Sequence, residues 1–582
     1  MPSRPCHTPG VPTFRVRAIL VGLSLVVAGC GASAAPAAAP SGVAPSALAP
    51  PASPPRTVRF ALAFDGHAAG SEIWNITEGA GGSQTIDFES VVETPRGKVG
   101  GKGRYSLTAA HLPEAAEVAI RTPDETDAEF RLTRTGLDLS MTMEHGGKTD
   151  ELKAGRPSNV FVPRPFFVGL SPICALLLEK DPPSLVEFPG SAISVLGMKS
   201  LGGVVVFALD HGGMGRTLIA CDGSDVVAVL DPWSGQSATR LDRPEIGEAL
   251  SKSVERAKPA IPVDLTEEEV SVEVPAAGAD EEATLACSFL RPSRAPAKLP
   301  AVVFSTGSGP QDRDEDSEGR GGLKLSIFKV MAIALAEKGV ASLRCDDRGT
   351  GKSTGAFEKA TLGTFVRDAA ETLAELGKRP GVDAARLGFI GHSEGAVVGP
   401  LVAAKSGKLR ALMLMAGPGR PLPEIGMIQE ETLLKQSGLP PDQIAKQLEA
   451  QRAVVDAIRD GKPLPEALAP EQRAQVEKQR GWLKSHFDND IQAALGRVPK
   501  MSIFVVQGGK DFQVPPDDAD LIRKGLAAGK NAEAKIKVYP ELNHLFATSH
   551  GGGLTEYSDI DAHIDDGFLA DTVDFFVHTL AK

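Results

Sequence analysis

Three residue types that can act together on an acyl group occur in order along the C-terminal half of the chain. Ser393 stands in "IGHSEG", framed by Gly391 and Gly395 as G-x-S-x-G. Asp511 follows in "FVVQGGKDFQVP" and His544 in "VYPELNHLF". A serine hydroxyl is a weak nucleophile near neutral pH and needs a base within hydrogen-bond reach. His544 is the candidate base, taking the serine proton and returning it to the leaving group. Asp511 would fix the imidazole tautomer and stabilise the imidazolium. The glycines around Ser393 suit a strained strand-to-helix turn that points the hydroxyl outward. A further glycine loop, Gly307-Ser308-Gly309, follows the apolar run "AVVFS". The backbone N–H groups of Ser308 and Glu394 are the candidate donors to an oxyanion; one such donor is typically worth roughly 3 to 4 kcal/mol in the transition state.

Each of these residues needs an element to hold it. From about residue 263 onward, apolar runs alternate with helical patterns. "AVVFST", "VASLRC", "RLGFIG", "LRALMLMAG" and "SIFVVQGG" read as buried strands. Leu323, Ile327, Met331 and Leu335 repeat every four residues, and Phe365, Ala369, Leu373 and Leu376 at four, four and three. These stripes predict helices from about Leu323 to Glu337 and from about Thr364 to Leu376. Strands alternating with core-facing helices imply an α/β fold with a mostly parallel, doubly wound sheet. "EEVSVEV" and "ATLACSFL" read as an opening hairpin. Residues 418–499 are helical and polar, without a visible strand. They are expected to form a helical cap inserted between two strands, which accounts for the long interval between Ser393 and Asp511.

The motifs "GSGPQDRDE", "RCDDRGTGKSTG", "IGHSEG", "GGKDFQVP" and "LNHLF", in this order, resemble those of the bacterial EstD-type esterases of the α/β-hydrolase superfamily. The resemblance covers residues from about 265 to 582. It implies an α/β-hydrolase fold with a helical cap and a serine carboxylesterase activity on small to medium acyl esters. Ser393 matches the family's nucleophile, Asp511 its acid and His544 its base; no metal or organic cofactor is implied. One position departs from such hydrolases: Thr306 stands where a histidine often precedes the glycine loop. A serine peptidase acting on short peptides and a non-catalytic envelope binding protein are the alternative readings.

Other residues carry competing readings. Glu394 could contact substrate or simply point its side chain to solvent. Asp312, Arg313 and Asp314 are expected in structural ion pairs, and Arg348 in a turn-stabilising one. "GTGKST" fails as a phosphate loop, because Asp346 stands where the first glycine of G-x-x-x-x-G-K-S is required. His550 and His563 lie in Gly-rich and acidic loops and compete poorly with His544 as the base. His67, His111, His145 and His211 are scattered and expected at the surface or in turns.

The N-terminal half reads differently. Residues 56–245 show partial alternation between Gly-rich breaks and predict an antiparallel β-rich domain of unwritten role. Residues 246–262, with "SKSVERAK" and two prolines, predict a linker to the catalytic domain at 263–582. Residues 1–29 read as an export signal: Arg15 and Arg17 precede the apolar run "AILVGLSLVVAG". "VVAGC" resembles a bacterial lipobox and makes Cys30 the candidate lipidation site. The Ala-, Pro- and Ser-rich residues 30–55 would form a tether. These readings place the protein in the cell envelope, exported and lipid-anchored to a bacterial membrane. Export permits disulfides, so Cys174 and Cys221 are a candidate pair, whereas Cys345 reads as a small core residue. No cysteine or histidine spacing suggests zinc. The 582-residue chain is 42% hydrophobic with a formal net charge of -12, a balance that repels nucleic acid.

Overall fold

The computed structural model describes residues 54–581, apart from 65, 95–96, 122–126, 146–147, 155–156, 163–165, 180–181, 212–215, 233–234, 279, 295–297, 318–323, 438, 469, 550–552, 554–555 and 557–561. The signal, Cys30, nearly all of the tether, Leu323 and His550 lie outside the described residues.

The N-terminal half forms a 14-stranded sheet whose named neighbours are all antiparallel. Its first strand, Arg56–Phe64, sits between two meanders. One runs outward through His67–Glu78 to Lys148–Lys153, and the other begins with Gln236–Arg240 and runs back to Leu185–Glu187. Alternation along the strands buries Phe60, Leu62, Trp74, Ile76, Ile86 and Phe88 on one face. The segment joining the meanders packs Phe166, Leu170, Ile173 and Leu176 onto that face. The candidate pair Cys174–Cys221 is a disulfide and fastens this segment to the strand Arg216–Asp222. The expected linker opens with a helix, Pro244–Lys252, which lays Ile246 and Leu250 on Val204, Val206 and Ala228. His211 is buried rather than at the surface, and its Nδ1 lies 2.5 Å from Glu187 Oε2.

The C-terminal half is built on an eight-stranded sheet. Its strands are β1 (Leu265–Val274), β2 (Ala283–Pro292), β3 (Leu299–Ser305), β4 (Ala341–Cys345), β5 (Val382–His392), β6 (Leu409–Met415), β7 (Ser502–Gly508) and β8 (Lys535–Tyr539). The order is β1-β2-β4-β3-β5-β6-β7-β8. The opening hairpin β1–β2 is antiparallel, as is β2 to β4; the other pairs are parallel. Helices α1 (Ile327–Glu337), α2 (Leu362–Leu376) and α3 (Glu394–Ser406) follow β3, β4 and β5. Between β6 and β7 stand α4 (Leu422–Gln436), α5 (Pro441–Arg459), α6 (Pro470–Phe487) and α7 (Ile491–Gly496). The last two are α8 (Asp518–Ala528) and α9 (Asp566–Leu580). Leu373 of α2, Val402 of α3 and Leu526 of α8 cover one face of the sheet. Phe328 and Met331 of α1 and Phe568 and Phe576 of α9 cover the other. Burial on both faces is why the parallel strands read as unbroken apolar runs.

Three local readings are corrected. Helix α1 begins at Ile327, not near Leu323, because Ser326 takes a left-handed backbone (φ 47°) and gives both its N–H and its hydroxyl to the Asp316 carboxylate. Helix α2 begins at Leu362, ahead of Thr364, because Thr361 and Thr364 cap each other reciprocally. Cys345 is not a free core residue. It faces Cys287 across the β2–β4 pair and is disulfide-bonded to it. Within the insertion, α5, α6 and the loop between them form a core of their own with Val454, Ile458, Leu464, Val476 and Leu483, whereas Ile491 and Leu495 of α7 join the core of the sheet.

Candidate active site

Ser393 follows the last residue of β5 and caps α3 with φ 52° and ψ -110°, a strained backbone for a residue with a Cβ. The glycines permit this turn. A Cβ on Gly391 would lie 2.1 Å from the Gly395 carbonyl oxygen, and one on Gly395 would lie 2.2 Å from that of Ser305. The helix thus starts directly against the ends of β3 and β5. Ser393 N–H donates to the Met415 carbonyl at 2.8 Å, fixing the turn to the end of β6.

Asp511 lies just after β7 and His544 after β8, so both loops leave the same sheet edge as Ser393. Gly509 N–H donates to the Tyr539 carbonyl and Lys510 N–H to that of Leu542, zipping the two loops together. His544 Nδ1 then meets Asp511 Oδ2 at 2.7 Å. Asp511 is filled on every side: Oδ1 accepts from the Gln513 and Val514 N–H groups, and Oδ2 also accepts from Gln507 Nε2. This fixes the carboxylate and, through it, the ring. His544 is buried, and its Nε2 has no hydrogen-bond partner among the described residues. Nε2 makes no hydrogen bond to Ser393, a separation common in resting sites that tighten around substrate. His563 does not compete at Asp511; the Asp511 oxygens are taken by the groups just named.

The glycine loop lies against the serine, a Cβ on Gly307 being 3.3 Å from Ser393 Cβ. Gly307 N–H donates to Glu315 Oε1 at 2.9 Å and is therefore engaged. The N–H groups of Ser308 and Glu394 have no acceptor among the described residues, and both residues line the cleft over Ser393. The missing histidine before the loop is replaced by other contacts. Thr306 donates its hydroxyl to Asp347 Oδ1 at 2.6 Å, and Asp347 Oδ2 accepts the Gln311 N–H at 2.9 Å. Burial pushes the Asp347 carboxyl well above the usual carboxylate range, against these hydrogen bonds.

The expected ion pairs lie behind this loop. Arg313 grips Asp346 at 2.9 Å, and buried Arg344 pairs with Asp314. Arg348 holds Asp368, with Nε 2.7 Å from Oδ2. Lys258, in the expected linker, reaches Asp312 at 2.6 Å, Asp314 at 2.8 Å and Asp316 at 3.3 Å. Burial works against its charge, yet Asp312 and Asp314 hold its pKa above the usual lysine range.

The Glu394 side chain does not point to solvent. It is buried, and Oε1 accepts from Trp482 Nε1 at 2.7 Å and pairs with His486 Nε2 at 2.6 Å. Both partners belong to α6, so the inserted helices are hooked to the residue beside Ser393. Over the serine is a cleft of about 530 Å³ of empty volume, with Ser308, Ser393 and Glu394 at its base and Leu422, Ile425 and Trp482 among its walls. Sequence reasoning missed Trp482, His486, Glu315 and His392 as parts of this site. His392 and Glu315 stood inside quoted motifs, but nothing in the spacing showed that they meet. Among the described residues no group of three or more metal-ligating side chains is placed to hold an ion.

Residues 322–548 match the family model described as serine aminopeptidase, S33. The strand order gives the C-terminal half the α/β-hydrolase fold, in keeping with this match. No curated protein matches the chain. Similar solved structures include Est1E from Butyrivibrio proteoclasticus, with ferulic acid bound: 17% identity, TM-score 0.35, 54% of this chain and 100% of that one. The α/β hydrolase GrgF from Penicillium sp. sh18 is 16% identical with TM-score 0.35, over 55% of this chain and 99% of that one. The esterase Pf2001 from Pyrococcus furiosus is 12% identical with TM-score 0.35, over 54% and 94%.

Proposed function

We propose that the protein is a serine carboxylesterase acting on small to medium acyl esters, as the likeness of its motifs to EstD-type esterases suggests. The observation that carries this reading is the Asp511–His544 hydrogen bond at the sheet edge where Ser393 sits on its strained turn. Ser393 Oγ attacks the ester carbonyl while His544 Nε2 takes its proton. The oxyanion forms against the N–H groups of Ser308 and Glu394. His544 then protonates the leaving alkoxide, and the acyl group on Ser393 is released by water that His544 deprotonates. The reading includes export, lipidation at Cys30 and a separate β-rich domain at 56–245. Ser393→Ala is expected to lower turnover of a p-nitrophenyl ester by roughly five to six decades. Retained turnover, or a fluorophosphonate that fails to label Ser393 in the folded protein, would remove the serine mechanism.

The description of the matching family supports a second reading, hydrolysis of short peptides. Paired assays on a p-nitrophenyl ester and an aminoacyl p-nitroanilide separate the two.

A further inference from the structure

We infer that Glu315 and His392 form a buried clamp that sets the oxyanion loop and the base loop at a fixed separation around Ser393. The inference rests on the serine mechanism proposed above and adds two positioning residues to it. Neither touches substrate in that mechanism.

The geometry is specific. Glu315 Oε1 accepts from Gly307 N–H at 2.9 Å and lies 2.7 Å from His392 Nδ1. His392 Nε2 lies 2.9 Å from the carbonyl oxygen of His544. One carboxylate oxygen and one ring thus connect the glycine loop, the residue before Ser393 and the main chain of the base. Both side chains are buried, with Glu315 1% and His392 2% exposed. Glu315 is also held at φ 65°, where a residue with a Cβ is unfavourable and must be held by its surroundings.

Two consequences follow from hydrogen-bond chemistry alone. Because Glu315 takes the Gly307 N–H, that group is not free to face an oxyanion, which leaves the role in this loop to the candidate donor Ser308 N–H. Because a carbonyl oxygen only accepts, His392 Nε2 must carry a proton, and Nδ1 needs a second one to bond the carboxylate. The clamp is complete when His392 is an imidazolium. Its surroundings agree: burial lowers the His392 pKa, but the charge and hydrogen bond of Glu315, the His544 carbonyl and the charge of Asp511 outweigh burial and raise it above the ordinary imidazole value. The titratable groups facing the ring are Glu315, Asp511 and the imidazole of His544, whose centroid is 4.7 Å away. When His392 loses a proton it must release either the Glu315 oxygen or the His544 carbonyl. Turnover therefore falls as pH rises through its pKa.

The test uses the full-length protein and a p-nitrophenyl ester. Glu315→Gln keeps an acceptor for Gly307 but removes the charge. It is expected to lower kcat by about 10- to 100-fold, as loss of outer partners does elsewhere, with KM nearly unchanged, and to move the alkaline limb to lower pH. His392→Asn is expected to lower kcat similarly and to abolish that limb. The double variant should be little worse than either, since the two act as one unit. Wild-type kcat and an unmoved alkaline limb in both variants, with Ser393 still labelled by fluorophosphonate, would overturn the clamp and leave the serine mechanism standing. Unlabelled Ser393 with an active Ser393→Ala protein would overturn both. Should the variants fail to fold, a 15N-histidine NMR pH titration of the wild type decides: His392 is expected to keep both ring protons to a higher pH than an ordinary imidazole, and loss of the Nδ1 proton at or below the ordinary imidazole range overturns the clamp.

Discussion

At Asp511 four hydrogen bonds converge on one carboxylate, and only one of them involves His544. The other three hold the acid still, so its charge and position are both available to the ring. Asp511→Asn preserves the size and the two main-chain contacts at Oδ1, but puts a donor where Gln507 Nε2 and His544 Nδ1 need an acceptor and so favours the wrong histidine tautomer. Its kcat on a p-nitrophenyl ester is expected to fall roughly 10⁴-fold, with a melting temperature close to that of the parent as the control. That Ser393, Asp511 and His544 come to one sheet edge was legible in the sequence because Ser393 directly follows one parallel strand and Asp511 and His544 lie in the loops after two others, and parallel strands deliver their ends to one edge. Glu315 and His392 were not. Their partnership joins positions far apart in the chain, and neither residue type announces a buried pair. The same holds for Thr306, whose support by Asp347 exists only after the loops have packed.

The helices inserted after β6 do more than stand over the cleft. Through Trp482 and His486 of α6 they hold the carboxylate of Glu394, whose own N–H is a proposed oxyanion donor. Replacing Trp482 by Phe keeps a ring and deletes one donor, leaving His486 as the remaining tie. The loss is expected to cost about 1 kcal/mol and to raise amide exchange in α6 measured by hydrogen–deuterium exchange; unchanged exchange would show that the tie does not hold the helix. The existence and place of this block were evident from its polar, strandless pattern between two apolar strands. Its attachment was not, because Trp482 and His486 lie in a helix with no strong apolar stripe. Helix Pro244–Lys252 was hidden for a similar reason: only Ile246 and Leu250 of it are buried, too few to mark a period among its charges.

Across the whole molecule, Lys258 links the stretch after the first sheet to the loop that carries Glu315. Its ammonium bridges the carboxylates of Asp312, Asp314 and Asp316 and offsets part of their mutual repulsion, as buried Arg344 does at Asp314. Lys258→Met in the full-length protein is expected to reduce kcat while Ser393 remains reactive to fluorophosphonate, and a protein begun at residue 262 should show the same defect; a kcat equal to that of the unaltered full-length protein in both would show the lysine to be dispensable. The division into a β-rich half and an α/β half was plain from the change in rhythm. The contact between linker and loop was not, since a lysine among charges reads as solvated. The cross-links set one further condition. Cys174–Cys221 and Cys287–Cys345 each fasten a single half of the molecule to itself. Protein made in a thiol-rich cytosol and protein matured outside it would share residues 54–581 yet differ in the covalent bonding within them, so rates measured on the two preparations would describe two different substances.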